Sequence, residues 1–177
     1  MDTIGIVSLL EGEPYKKVKS LWKLFEKRYE SKSVQMIQDP HLTFQAGWLE
    51  DSKVLVEAFS EFSKQIKPFN VEVKGFGHFD SIVIYLKVIK TNRLFDLNKS
   101  INSFLSNYCV ELFPLYKPEI WVPHITLAMD DLTEDNFKKA WNDLKDQDFS
   151  FRQTIHNFAM IELDQDEKIN LVKKFPI

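Results

Sequence analysis

Hydrophobic positions along the chain alternate between two periods. Residues 3–10 (TIGIVSLL) are rich in β-branched residues and too short for a helix, so they predict a strand. Residues 14–31 switch to helical spacing. Tyr15, Val18, Leu21, Trp22, Phe25 and Tyr29 recur at three and four, with Pro14 at the first helical position. Residues 34–37 read as a short strand. Residues 41–48 (HLTFQAGW) alternate polar and apolar, which is a strand signal. Asp51 or Ser52 then caps a second helix, with Val54, Leu55, Ala58, Phe59, Phe62 and Ile66 on one face. Pro68 stops it, and residues 69–78 (FNVEVKGFGH) alternate again.

The pattern then restarts. Residues 81–89 predict a strand, and residues 92–112 a helix with Leu94, Leu97, Ile101, Phe104, Leu105, Tyr108 and Leu112 on one face. A connection punctuated by Pro114, Pro118 and Pro123 leads to a strand at 124–130. Thr133 opens a helix whose face is Phe137, Ala140, Trp141 and Leu144. Residues 149–163 are extended, as two strands or one bent one. Residues 164–167 are a turn, and 168–175 a last strand. Each half thus reads β-α-β-α-β, a duplication of architecture. The expected fold is α+β: two pseudo-symmetric lobes, roughly 1–80 and 81–177, around a central cleft. No segment has linker composition, so residues 1–177 read as a single bilobal domain, with strand exchange between the lobes left open.

Composition narrows the picture. The chain has 177 residues, 44% hydrophobic and 28% charged, which suits a folded domain with a sizeable core. Its one cysteine, Cys109, excludes an internal disulfide and a cysteine-based zinc cluster. No run approaches the ~20 apolar residues that span a membrane. The opening Met1-Asp2 lacks a positive leader, so the expected location is the cytoplasm. A net charge of −3 argues against tracking a long nucleic acid, which favours a basic excess. The only arginines are Arg28, Arg93 and Arg152, so any phosphate is held mainly by other groups. There is no clear oligomer signal, and a monomer is expected.

The duplication is sharpest at two places. Residues 40–44 read Pro-His-Leu-Thr-Phe and residues 123–127 read Pro-His-Ile-Thr-Leu, each opening the middle strand of its half. The other histidines, His78 and His156, have Asp80 and Phe158 at the threonine position and lack the pattern. Side chains two apart on a strand share a face. His41 therefore projects with Thr43, and His124 with Thr126, while Leu42, Phe44, Ile125 and Leu127 point into the core. If a pseudo-twofold sets the strands side by side, two imidazoles and two hydroxyls line one cleft. Imidazole titrates near neutral pH, so one takes a proton from an attacking water or hydroxyl and the other gives one to a leaving oxygen. The threonine hydroxyls donate to non-bridging phosphate oxygens as charge builds there. Neither a metal, a cofactor nor a covalent nucleophile is required.

His41-Leu42-Thr43-Phe44 and His124-Ile125-Thr126-Leu127 resemble the paired tetrapeptides of the 2H phosphoesterase superfamily, which includes 2′-5′ RNA ligases and cyclic phosphodiesterases. The resemblance extends to the doubled architecture, to Trp121-Val122-Pro123 before the second motif, and to the glycine-containing strand Gly75-Phe76-Gly77-His78-Phe79. It implies hydrolysis or transfer at 2′,3′-cyclic phosphate RNA ends, cyclic phosphates of nucleotides or ADP-ribose, or 2′-5′ linkages. It implies His41 as the acid and His124 as the base in opening 2′,3′-cyclic ends. The partner would be a small nucleotide or an RNA end. One departure stands out: no arginine adjoins either motif, and Val122 lies two before His124.

The alternative function is a non-catalytic module that binds a terminal phosphate or nucleotide in the same cleft. A metal site on His41 and His124 would need Asp130 or Asp131, and Asp130 is too far along the strand to share one ion. Gln45 lies on the strand face of His41 and Thr43, which predicts a cleft contact. Tyr116 or Trp121 would stack on a base, and Lys117 would meet a phosphate. His78 and His156 read as structural. Cys109 reads as a small buried hydrophobe rather than a nucleophile.

Overall fold

A computed structural model describes residues 2–163 and 169–177. Among these residues the order is β1 (Asp2–Leu9), α1 (Gly12–Tyr29), β2 (His41–Leu49), α2 (Ser52–Ser63), β3 (Phe69–Phe79), β4 (Val83–Val88), α3 (Asn92–Leu105), β5 (Glu111–Leu112), β6 (His124–Ala128), α4 (Glu134–Leu144), β7 (Ser150–Ile155), β8 (Asn157–Leu163) and β9 (Ile169–Pro176). The turn expected at 164–167 lies outside the described residues.

Local chemistry sets most boundaries. Asp51, Thr91 and Thr133 cap α2, α3 and α4, their side-chain oxygens accepting from Lys53 N, Leu94 N and Asn136 N. Pro14 sits third in α1 rather than first. It is tolerated because the first-turn N–H groups have no intrahelical partner anyway. α1 buries Val18, Trp22, Phe25 and Tyr29, a stripe at helical spacing.

Two expectations fail for tertiary reasons. Residues 33–37 are a turn of 3-10 helix, not a strand. The Asp131 carboxylate accepts from Ser31 Oγ at 2.6 Å, Lys32 N at 2.7 Å and Ser33 N at 2.8 Å, which fixes how this segment starts. α3 ends at Leu105, short of residue 112. The Asn107 amide donates to the Ser103 and Phe104 carbonyls, and the chain then turns to lay β5 on β2.

The strands form two antiparallel sheets, ordered β5-β2-β1-β8-β9 and β6-β4-β3-β7. The halves of the chain interleave. β1 pairs with β2 and β8 as β4 pairs with β6 and β3, so the last strand of each repeat joins the other repeat's sheet. The helices cross too: α1 packs on β6 and β7, and α3 on β2. One continuous hydrophobic cluster runs through both sheets, with Trp22, Phe25, Phe44, Phe59, Trp121 and Phe158 fully buried in it. The result is the α+β fold that the doubled pattern predicts. No helix among the described residues is long and apolar enough to cross a membrane.

Candidate active site

Over their histidine–threonine segments, β2 and β6 are edge strands that face one another across the gap between the sheets. Each is bulged at the same motif position. Ile6 pairs with Gln45 and Val7 with Thr43, so Phe44 is the extra residue in β2. Ile84 pairs with Ala128 and Tyr85 with Thr126, so Leu127 is the extra residue in β6. A bulge breaks the alternation and re-aims the next side chains along the strand. The histidine and threonine of each motif share one face up to the bulge, and beyond it the chain turns back into the core.

His41, Thr43, His124 and Thr126 line one small cavity, closed by Trp22, Val34 and Ile37. The imidazoles are oriented alike. His41 Nδ1 lies 2.9 Å from the Asp39 carbonyl and His124 Nδ1 lies 2.7 Å from the Val122 carbonyl, each two residues back. A carbonyl only accepts, so Nδ1 carries the proton in both neutral rings. Nε2 of each is left without a protein partner among the described residues. Burial lowers the pKa of His41, and the neighbouring His124 lowers it further against the pull of the Asp39 carbonyl. Burial likewise lowers that of His124, opposed by the Val122 carbonyl. Both rings therefore favour the neutral form until an anion arrives between them.

Two tryptophans hold the motif strands in a reciprocal way. Trp121 Nε1, from the second half, donates to the Thr43 carbonyl at 3.1 Å. Trp22 Nε1, from the first half, donates to the Thr126 carbonyl at 3.0 Å. Each edge carbonyl is thus satisfied by an indole of the opposite half. His124 is further braced by aromatic rings, with Phe79 and Tyr85 centroids each 5.1 Å away. The Tyr85 ring lies over Gly77, where an added Cβ would come within 2.4 Å of it, so only glycine leaves room.

A larger cleft of about 470 Å³ opens from His124 and Thr126. Its walls are mostly apolar: Phe79, Val83, Leu115, Ile120, Val122 and Met129. Tyr116 lines it too, with the Thr43 side chain close to its phenol oxygen. Burial pushes that phenol's pKa up.

The other residues singled out from sequence divide. Gln45 is not in the cleft. The Phe44 bulge turns its fully buried side chain toward α3, where Nε2 donates to Asn102 Oδ1 at 2.5 Å and Oε1 accepts from Ala46 N. Asn98 of α3 completes this buried support by donating to the Phe44 and Tyr116 carbonyls. Trp121 forms the cleft floor against Phe44 but is 2% exposed, so it supports the strand instead of offering a free stacking face. Lys117 is exposed and lines none of the cavities around the histidines; its carbonyl closes a turn with Ile120 and Trp121. His156 pairs with Glu11 at 2.7 Å, and His78 packs on Trp141, both away from the paired motifs. Cys109 is half-buried, and burial pushes its thiol up to about 11. The sequence reading missed Trp22, Phe79 and Tyr85 as site residues. Gly77 carried a signal for the last, since a glycine inside a strand marks a close approach.

The doubled architecture has known counterparts. No curated protein sequence matches the chain. Among solved structures, Escherichia coli LigT complexed with 3′-AMP superposes with a TM-score of 0.61 at 16% identity, covering 99% of this chain and 98% of that one. TT0787 of Thermus thermophilus superposes at 0.62 with 14% identity, covering 99% and 97%. At these identities the likeness is one of fold. The sequence model of the 2′-5′ RNA ligase superfamily matches residues 11–167, a span that holds both histidine–threonine motifs and most of the two sheets. The chain therefore belongs to the 2′-5′ RNA ligase superfamily.

Proposed function

We propose that the protein is a metal-independent phosphodiesterase acting on cyclic 2′,3′-type or 2′-5′ phosphodiesters of RNA ends or nucleotides, by acid–base catalysis between His41 and His124. Membership of the superfamily supports phosphodiesterase or ligase-type activity. The observation that carries the reading is the matched setting of the two imidazoles. Each is pinned through Nδ1 by a carbonyl two residues back, its Nε2 has no protein partner among the described residues, and its motif threonine lines the same cavity.

In the proposed reaction one Nε2 removes a proton from water as its oxygen bonds to phosphorus. The opposite P–O bond breaks, and the other histidine, as imidazolium, protonates the leaving oxygen. Thr43 and Thr126 donate to the non-bridging oxygens, whose charge grows in the transition state. The anionic phosphodiester raises the pKa of whichever imidazole must carry the proton, offsetting the effect of burial. Substrate orientation sets which ring is the acid. The resemblance gives that role to His41, and the position of the phosphate in the product reads it out.

The apolar cleft beside His124 suits the base and sugar of a small nucleotide. Escherichia coli LigT has been crystallised with 3′-AMP, with NADP+ and with ATP, which supports a nucleotide-sized partner. The test is hydrolysis of 2′,3′-cyclic nucleotides, a short RNA with a 2′,3′-cyclic end and a 2′-5′ dinucleotide, all in excess chelator, beside the His41→Ala/His124→Ala double variant. Turnover that survives chelation and is lost in the double variant supports the reading. Tight binding of these ligands without turnover would favour the non-catalytic module.

A further inference from the structure

The charged side chains that line the cavities at the histidines are, among the described residues, all acidic. Three cavities touch His41 or His124, and among the described residues no lysine or arginine lines any of them; Lys87, which pairs with His124 between β4 and β6, is exposed and lines none. Their acidic residues are Asp39 beside His41, and Asp80 and Asp130 on the larger cleft. Asp80 follows Phe79, whose ring braces His124, and Asp130 follows β6 by two residues. Both are held in the left-handed region, at φ 46° and 64°, so each is a fixed turn residue at the cleft. The Asp80 carbonyl is further tied by His78 Nδ1 at 2.8 Å. Both residues are exposed, and neither carboxylate has a hydrogen bond or ion pair among the described residues.

A single phosphodiester seated between the histidines meets only neutral or protonatable donors there. A second phosphate on the same molecule would extend along an apolar wall toward two unneutralised carboxylates. Like charges facing one another along the cleft repel, most strongly at low ionic strength, and among the described residues no cation lines the cleft to reverse the sign. We propose that Asp80 and Asp130 are specificity-determining residues that restrict the site to substrates with one phosphodiester and no further phosphate on the part that fills the cleft. The chemical class is a nucleoside-like body of modest polarity carrying a single anionic charge. Polyphosphates and 5′-phosphorylated ends are disfavoured. This rests on the nucleotide-phosphodiester reading above, and goes beyond it by naming what the cleft rejects and which side chains reject it.

The test compares adenosine 2′,3′-cyclic phosphate with its 5′-phosphorylated form, in the parent protein, in Asp80→Asn and Asp130→Asn, and in the double variant. The parent is expected to favour the unphosphorylated substrate in kcat/KM by roughly tenfold or more at low ionic strength, a ratio that shrinks as salt is added. In the double variant the ratio is expected to move toward one. Calorimetric binding of adenosine 3′-monophosphate against adenosine 3′,5′-bisphosphate reads the same selectivity without needing turnover. Equal handling of both members of each pair by the parent overturns the proposal. So does a preference that survives neutralisation of both carboxylates. Selective binding without turnover would overturn the catalytic reading and leave this one standing. Failure to bind either adenosine nucleotide would overturn both.

Discussion

At the scale of single residues, the proposed chemistry rests on four side chains, His41, Thr43, His124 and Thr126, and on the atoms that aim them. Replacing His41 or His124 by alanine is expected to lower turnover by roughly 10²–10⁴-fold with the fold intact. Thr43→Val or Thr126→Val is expected to cost less than either histidine, because each removes one neutral donor. Unaltered kcat in both histidine variants would refute two-histidine catalysis. The pH profile carries a sign. Burial lowers both imidazole pKa values below the usual 6.5, so under the proposed mechanism the free protein holds the acid's proton only at low pH. The descending limb of kcat/KM should therefore lie below 6.5, and that of kcat should move alkaline once the phosphodiester anion is bound. Coincident limbs above about pH 7 would show that the imidazoles are not held neutral in the free site.

At the scale of elements, strand edges and helix faces hold those residues in place. α1 reaches across to β6 through the Trp22 indole, which satisfies the Thr126 carbonyl. Trp22→Phe keeps the ring's bulk and deletes the donor, leaving that carbonyl unpaired. A stability loss of about 1–3 kcal/mol is expected in denaturant titration, with a fall in kcat through the displaced Thr126. β3 contributes through a gap in its side chains. Gly77→Ala drives a methyl into the Tyr85 ring, which stands 5.1 Å from His124. The variant is expected to fold but to lose activity, read as a drop in kcat together with altered near-ultraviolet circular dichroism. An active Gly77→Ala protein would mean that Tyr85 does not brace His124.

At the scale of the molecule, the two halves are interlocked. β3 completes the sheet of β4 and β6, while β8 and β9 complete that of β1 and β2. Neither sheet can form from one half of the chain, and the hydrophobic cluster is shared. Unfolding is expected as one transition, with far- and near-ultraviolet signals coincident, and residues 1–80 alone should not fold. Two separated transitions would contradict this. Stability should also depend on pH through the paired histidines. The unfolded chain binds protons at about pH 6.5, whereas folded His41 and His124 resist them. Their contribution is present above that pH and is lost as pH falls through the lowered folded values. The denaturation midpoint should drop on acidification, and by less in the His41→Gln/His124→Gln variant.

Local pattern alone determined the strands and helices that a repeating hydrophobic period specifies, the α+β class and the two duplicated motifs. These are properties of residues a few positions apart, and the strand period already put each histidine on the face of its threonine. Tertiary structure decided the rest. Asp131, about a hundred residues from Ser31–Ser33, turned an expected strand into a 3-10 helix. A one-residue bulge at Phe44 moved Gln45 from the cleft to α3, an outcome that alternation cannot foresee because a bulge is set by the partner strand. The exchange of strands between halves and the reciprocal indole bonds join residues 78 and 104 positions apart. Sequence spacing says nothing about such pairs. They exist because two amphipathic repeats must bury their apolar faces on each other while leaving one polar seam open.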